Sequence, residues 1–463
     1  MEKYKIHNPL GEEKVGKLLN DFAVPSIIAM LVSSLYNIVD QFFIGRSIGE
    51  LGNAATNISF PLSISCIAIA LLFGIGGAST FNISMGRSQF DPKEKEKAAY
   101  YMGNSMTMLF GCGMLLLIFT QIFLHPLLVF IGSPANVIDY AAVYTRIVSL
   151  GFPFLIFTAG GGHLLRADGR PKYTMICNLV GAIINTILDA LFVFALNLGM
   201  AGAAAATIIG QIISGGMTFY LLMRCKTIKL NRKHFSIKTK YINKIMSLGA
   251  APCTNQVSLM IVQIVMNKSL KYYGSISVYG EAIPIACAGI ITKVNQVFLS
   301  FIIGISQGLQ PIVSYNYGAR KYKRIKSAYL TAISVGFIIA LISFGLFQFA
   351  PRQIISIFGS GSDKYYEFAI KYFKIFLFFT FLNFLQPITS NFFTAISKPK
   401  MGIFMSLTRQ IIFLLPLLIV LPLFVGIDGI MYAGPIADFL AAMVCGIMII
   451  YELRKPEYKT TLN

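Results

Sequence analysis

Tryptophan is absent from this chain, and charge is scarce: Asp, Glu, Lys and Arg make up 13% of 463 residues. A soluble domain carries about a quarter of its residues as charges. Here 56% of residues are hydrophobic and mean hydropathy is +0.69. Such a chain cannot face water all round and reads as an all-α, polytopic membrane protein. No polar segment is long enough for a separate soluble domain. Tyrosine must supply any interfacial belt. The seven cysteines form no C-x-x-C pair and lie mostly in apolar runs, which excludes a zinc ribbon or a disulfide framework. They read as small buried residues. The glycine clusters Gly74-Ile75-Gly76-Gly77 and Gly160-Gly161-Gly162 follow no strand and precede no Lys-Ser/Thr pair, so they are not phosphate loops. They read first as sites of close helix packing. No nucleophile–base set and no metal-ligand cluster is present. The chain is therefore expected to be neither an enzyme nor an ATP-driven pump, to need no cofactor, and to draw energy from an ion gradient.

Acidic residues are the scarcest charges: 19 against 39 Lys and Arg, a net charge of +20. In a soluble protein that excess would suggest nucleic acid. Here the cations lie in short loops between apolar runs, so they report topology and no nucleic-acid partner. Twelve runs are long enough to span, near residues 22–45, 54–81, 97–121, 137–160, 173–197, 200–224, 245–272, 284–310, 326–350, 365–393, 402–424 and 429–452. Outside them or at their ends, 29 Lys and Arg fall on the side of the two termini and 5 on the opposite side. That split predicts both termini in the cytoplasm and an even number of spans. The first run lacks a small-residue cleavage site and reads as a retained helix.

The basic stretch 225–244 divides the chain into an N-terminal unit, 1–224, and a C-terminal unit, 245–463. The two repeat. Pro25 answers to Pro252, Phe130-Ile-Gly-Ser133 to Ile357-Phe-Gly-Ser360, Gly169-Arg-Pro-Lys172 to Ser397-Lys-Pro-Lys400, and Gly199 to Gly426, at an offset of 227 or 228. Six helices per half start each half on the same side, so the repeats are parallel. Two such six-helix lobes enclose a central cavity and can rock to give alternating access.

The ionisable residues left inside the spans carry the chemistry. Ser33, Asn37, Asp40 and Gln41 form one polar stripe on the first helix, spaced by three and four. Tyr36 lies beside it. Asn178, Asn185 and Asp189 share a face of the fifth helix, and Thr207 lies in the sixth. At 1.5 Å per residue, Asp40, Asn185, Asp189 and Thr207 fall in one band roughly 8–18 Å below the outer surface. Two carboxylates with two neutral oxygens suit a hard cation such as Na⁺. Two carboxylates in low dielectric also hold a proton between them, which suits proton exchange. A polar network that only locks helices is the other reading.

At the 227 offset Asp40 maps to Asn267 and Asp189 to Pro416, so the second half lacks this site. It holds Lys293 and Asp438 instead, level in depth, and the sequence leaves open whether they pair or line the cavity. Arg146 and Arg409 are expected to snorkel or bond backbone carbonyls. His163 is expected near the surface, and Glu281 and Asp428 are expected to be solvated at outer helix ends.

Pro25 with Asn37-x-x-Asp40-x-x-Phe43-Ile44-Gly45, the run Gly304-Ile-Ser-Gln307-Gly308-Leu-Gln310-Pro311-Ile-Val-Ser-Tyr315-Asn316-Tyr317-Gly318-Ala319, and Leu164-Leu-Arg166-Ala-Asp168-Gly-Arg-Pro-Lys172 resemble motifs of the multidrug and toxic compound extrusion (MATE) family. The match covers essentially the whole chain, and the second run is its most specific part. The resemblance implies a bacterial plasma-membrane antiporter that expels small organic, often cationic, compounds in exchange for H⁺ or Na⁺, acting as a monomer in the lipid. It assigns cation coupling to Asp40, Asn185, Asp189 and Thr207, with Tyr36, Asn37, Gln41, Lys293 and Asp438 as cavity or substrate candidates. Some relatives use acids in helices seven and ten. Here those helices offer Gln256, Gln263, Asn383 and Gln386, plus the edge charges Glu367, Lys371 and Lys374. The alternatives are a lipid-linked precursor flippase of the same superfamily, which wants a strongly cationic cavity, and a non-transporting receptor or channel.

Overall fold

The computed structural model describes residues 8–48, 50–133, 137–280, 282–357 and 363–458, without the side chains of residues 41, 42, 45–48, 50, 53 and 282. Among the described residues there is no strand. The first half comprises α1 (Pro9–Glu12), α2 (Val15–Ile48), α3 (Glu50–Arg87), α4 (Lys93–Ile122), α5 (Leu124–Ile131), α6 (Ile138–Ser149), α7 (Phe152–Ala167), α8 (Pro171–Asp189) and α9 (Gly199–Met223). The second comprises α10 (Thr239–Ser275), α11 (Ala282–Gly318), α12 (Tyr322–Phe349), α13 (Pro351–Ile357), α14 (Asp363–Phe376), α15 (Leu385–Ala395), α16 (Pro399–Leu407), α17 (Leu415–Val425) and α18 (Ile427–Leu453). Eleven helical stretches are long and apolar enough to span, and α6 with α7 make the twelfth span, bent by 56°. The bend falls at Leu150-Gly151, just before Pro153, where the proline at the start of α7 cannot continue the hydrogen bonding of α6. The chain is thus a twelve-helix, all-α membrane protein. The short helices α5 and α13 stand at equivalent places, 227 residues apart.

Prolines inside spans free carbonyls that must find other donors in lipid. Hydroxyls in the turns beside them bond carbonyls next to the freed ones: Ser26 donates to Phe22 O (2.8 Å) beside Pro25, and Thr254 to Ala250 O (2.6 Å) beside Pro252. Two spans continue as π-helical turns, Ala190–Ala195 after Asp189 and Thr408–Leu414 between α16 and α17. The second precedes Pro416, whose missing N–H breaks the regular ladder.

The halves meet along α2 with α11 and α3 with α10, and α3 also packs on α11. The hydrogen bonds described between them run from mid-depth to the end that carries residue 8 and the linker. Ser34 Oγ lies 2.8 Å from Ser300 Oγ at mid-depth. Nearer that end, Gln310 Nε2 donates to Ser79 Oγ (2.8 Å) and Ile75 O (3.2 Å), and Gln89 Nε2 donates to Tyr315 Oη (2.8 Å). Close backbone approach there needs glycine. A Cβ at Gly249 would sit 1.8 Å from Leu72 O, and one at Gly76 would sit 2.1 Å from Ile245 O. The packing reading of the Gly74–Gly77 cluster holds at Gly76. The described hydrogen bonds and glycine contacts between the halves thus close the bundle at the end that carries residue 8 and the linker.

Candidate cation site in the first lobe

Four helices of the first half converge on one polar centre. Asp40 near the far end of α2 and Asn185, Asp189 and Thr207 on α8 and α9 are all buried, Asp189 completely. The approach of α8 to α9 rests on two glycines. A Cβ at Gly210 would sit 2.8 Å from Gly181 O and 3.1 Å from Asn185 Cβ. That closeness lets the Asn185 amide bridge the two helices. In the orientation that satisfies both ends, its nitrogen donates to Asp189 Oδ2 (3.0 Å) and its oxygen accepts from the Thr207 backbone N–H (3.0 Å). The opposite orientation offers only a long contact, 3.4 Å, to the Thr207 hydroxyl. The Thr207 hydroxyl itself bonds Ala203 O at 3.0 Å.

The two carboxylates lie within electrostatic reach of each other. Asp40 Oδ1 and Asp189 Oδ1 are buried without a hydrogen-bond partner. Among the described residues no Lys or Arg pairs with either acid. Tyr36, one turn before Asp40, lies beside Thr207 and both acids. Tyr144, buried on α6, faces Asp40, Asp189 and Tyr36. Tyr144 escaped the reading of the sequence. Its signal was depth: it lies about seven residues into its run, within the same band as the acids. Asn37 is exposed and turned back on its own helix, its Nδ2 donating to Ser33 O (2.8 Å). Gln41 lies in α2, and its side chain is outside what the structure describes.

The family model described as MatE matches residues 25–191 and, a second time, 255–420. The chain belongs to the MatE family. One match falls in each half, so the internal repeat is the family's own unit used twice, and family members are transporters rather than enzymes. Relatives include the Multidrug export protein MepA of Staphylococcus haemolyticus, 24% identical over 444 residues and covering 96% of this chain and 95% of that one. The MepA of Staphylococcus aureus is 23% identical over 443 residues, covering 95% and 94%. Among solved structures, an outward-facing multidrug resistance MATE family transporter of the MOP superfamily superposes with a TM-score of 0.88 at 23% identity, over 98% of this chain and all of that one. A MOP superfamily transporter from Pyrococcus furiosus gives 0.87 at 22%, with the same coverage.

The second lobe corrects several expectations. Lys293 and Asp438 do not pair. Asp438 is buried against Arg409, whose Nε lies 2.5 Å from Asp438 Oδ1, while Lys293 is half-buried on α11. Arg409 therefore does not snorkel; helix rotation at the π turn aims it into the lobe, where the carboxylate neutralises it. Asp428 is not simply solvated but holds Lys371 at 2.7 Å. His163 is buried, not at the surface, because its face of α7 meets Gln310 of α11 at the seam between the lobes. Arg146 is exposed on α6. Glu281 lies outside the described residues. In helices seven and ten the neutral groups serve packing and local bonds: Gln386 Nε2 donates to Met405 O (2.9 Å), and Gln263 Nε2 to Asn267 Oδ1 (3.2 Å).

Proposed function

We propose that this chain is a cation-coupled antiporter that exports small organic, often cationic, compounds from the cytoplasm by alternating access. The single observation that carries this reading is the pair of buried acids, Asp40 and Asp189, with an unpartnered oxygen on each and, among the described residues, no Lys or Arg paired to them. Two uncompensated carboxylates in low dielectric demand a cation. An exchangeable cation makes them a coupling site, whereas a fixed one, such as Arg409 beside Asp438, makes a structural pair. The export function named for the staphylococcal relatives agrees with it.

In the proposed cycle, an ion entering from the open cleft neutralises Asp40 and Asp189. Tyr36 and Asn37, on the same turns of α2 as Asp40, then shift and weaken the hold on the drug. Drug leaves outward, the lobes rock, and the ion leaves inward. The proton suits the geometry better than sodium. In the orientation assigned from its hydrogen bonds, the Asn185 amide turns its nitrogen to Asp189, which leaves one oxygen fewer for a hard metal ion. The charge split across the spans favours both termini in the cytoplasm, and two lobes in one chain suit a monomer. The flippase alternative is weakened by the same structure, since Arg409 is already spent on Asp438 and adds no cationic charge to the cavity.

The test is ethidium efflux from proteoliposomes with a pH gradient and a sodium gradient imposed separately, on wild type and Asp40→Asn. The expected result is efflux driven by the pH gradient and lost in the variant. Efflux that ignores both gradients, or a variant equal to wild type, overturns the reading.

A further inference from the structure

We infer that the closed end of the bundle is held by two straps, each continuous with the first long helix of one half and hydrogen-bonded to the other half, and that both must let go when the lobes part there. This rests on the alternating-access reading above.

The first strap is α1 and the turn after it, which lead into α2 of the first half. The second half grips its backbone carbonyls. Asn316 Nδ2 donates to Leu10 O (2.8 Å), Lys321 Nζ to Gly11 O (2.9 Å), and Arg324 to Glu13 O (2.6 Å) and Leu10 O (3.3 Å). Arg324 Nε also donates to Asn316 Oδ1 (3.2 Å), which fixes the fork. Leu10 is buried beneath, and a Cβ at Gly11 would meet the Tyr315 ring at 2.9 Å. Asn8 caps the strap, accepting from Leu10 N at 3.0 Å.

The second strap is the linker segment 231–238, which leads into α10 of the second half. It is gripped by α4 of the first half. Asn104 Nδ2 donates to His234 O (3.1 Å), Asn104 Oδ1 accepts from Lys238 N (2.9 Å), and Thr107 Oγ1 donates to Phe235 O (3.1 Å). A Cβ at Gly103 would lie 2.4 Å from His234 O. His234 is buried, bonded through Nδ1 to Asn231 N (3.0 Å), and its ring stands edge-on to Tyr100 at 5.0 Å.

The two straps are similar devices in different registers. At the repeat offset Leu10 to Glu13 correspond to Ile237 to Lys240, which overlap the second strap only at Ile237 and Lys238; the first strap docks where α11 turns into α12, the second on α4. The gripping residues are unrelated, so the shared feature is the docking, not an inherited set of contacts. The chemistry also suits release. The contacts run mainly from side-chain donors to backbone carbonyls at the bundle's end, where water replaces them when they break. Arg409 and Asp438, sealed within one lobe, have no such exit.

Spin labels at Lys172→Cys and Lys400→Cys, in a chain with the seven native cysteines replaced, report lobe separation at this end. Both lysines are exposed, one at the start of each lobe's fifth helix. The distance is measured in nanodiscs across pH, alongside ethidium efflux. Wild type is expected to show a short and a long distance. Arg324→Ala with Asn316→Ala, and Asn104→Ala with Thr107→Ala, are each expected to raise the long-to-short ratio by about tenfold. Gly103→Ala removes no donor and keeps the helix, yet pushes the second strap away, so it guards against misfolding of the polar variants and should move the ratio the same way. Strap variants with the wild-type ratio, in a wild type that shows both distances, overturn the straps alone. A wild type that transports with one distance at every pH overturns alternating access, and the straps fall with it.

Discussion

Removing one of the two buried acids should halve the number of ions the transporter can use, and that loss can be read as a ratio of concentrations. Asp40 and Asp189 share one centre, neither pairs with a described Lys or Arg, and each keeps an unpartnered oxygen. If both exchange a proton per cycle, two protons move per drug. One pH unit supplies about 1.4 kcal/mol per proton, a factor of ten. With the membrane potential clamped at zero, a gradient of one unit then sustains about a hundredfold ratio of free ethidium across proteoliposomes, and a one-proton cycle about tenfold. Asp189→Asn keeps the shape of its site and the contact with Asn185, and should drop the steady-state ratio from about one hundred to about ten or below. The assay is the plateau of ethidium distribution, not the initial rate, because a plateau reports coupling and is blind to how many molecules are active. A plateau unchanged in Asp189→Asn would refute the assignment of a second ion to this centre. A wild-type plateau near one under a pH gradient would refute proton coupling altogether.

Two further outcomes test the frame around the site. Asp438→Asn strands a buried guanidinium and should destabilise the protein by about 3–5 kcal/mol, while Arg409→Met with Asp438→Leu should fall near wild type. Thermal unfolding in detergent compares them, and equal loss in single and double variants would show that the pair does more than balance charge. Gly249→Ala puts a Cβ 1.8 Å from Leu72 O and should keep the lobes from closing at the end of the termini, at a cost of about 1–3 kcal/mol. Loss of the short distance between labels on the two lobes, with folding retained, is the expected reading; an unchanged distance would mean that the helices shift to absorb the methyl group.

What the sequence determines by itself is order along the membrane normal. Apolar run lengths, the placement of Lys and Arg and the offset of 227 give twelve spans in two parallel halves, because lipid forces each span to be a helix of known rise. The same arithmetic put Asp40, Asn185, Asp189 and Thr207 at one depth, and the resemblance of the first helix to the MATE pattern marked the same four residues. Depth is silent about rotation and about neighbours. Lys293 and Asp438 are level, yet the π turn at Thr408–Leu414 gives Asp438 to Arg409 instead. His163 ends a glycine run near a basic loop, yet α7 turns it into the seam between the lobes. Tyr144 sits among many tyrosines that periodicity cannot tell apart. The straps are least legible of all, since what is gripped there is backbone carbonyl, which every residue carries. Only the packing of one half against the other decides which of those carbonyls meets Arg324 or Asn104.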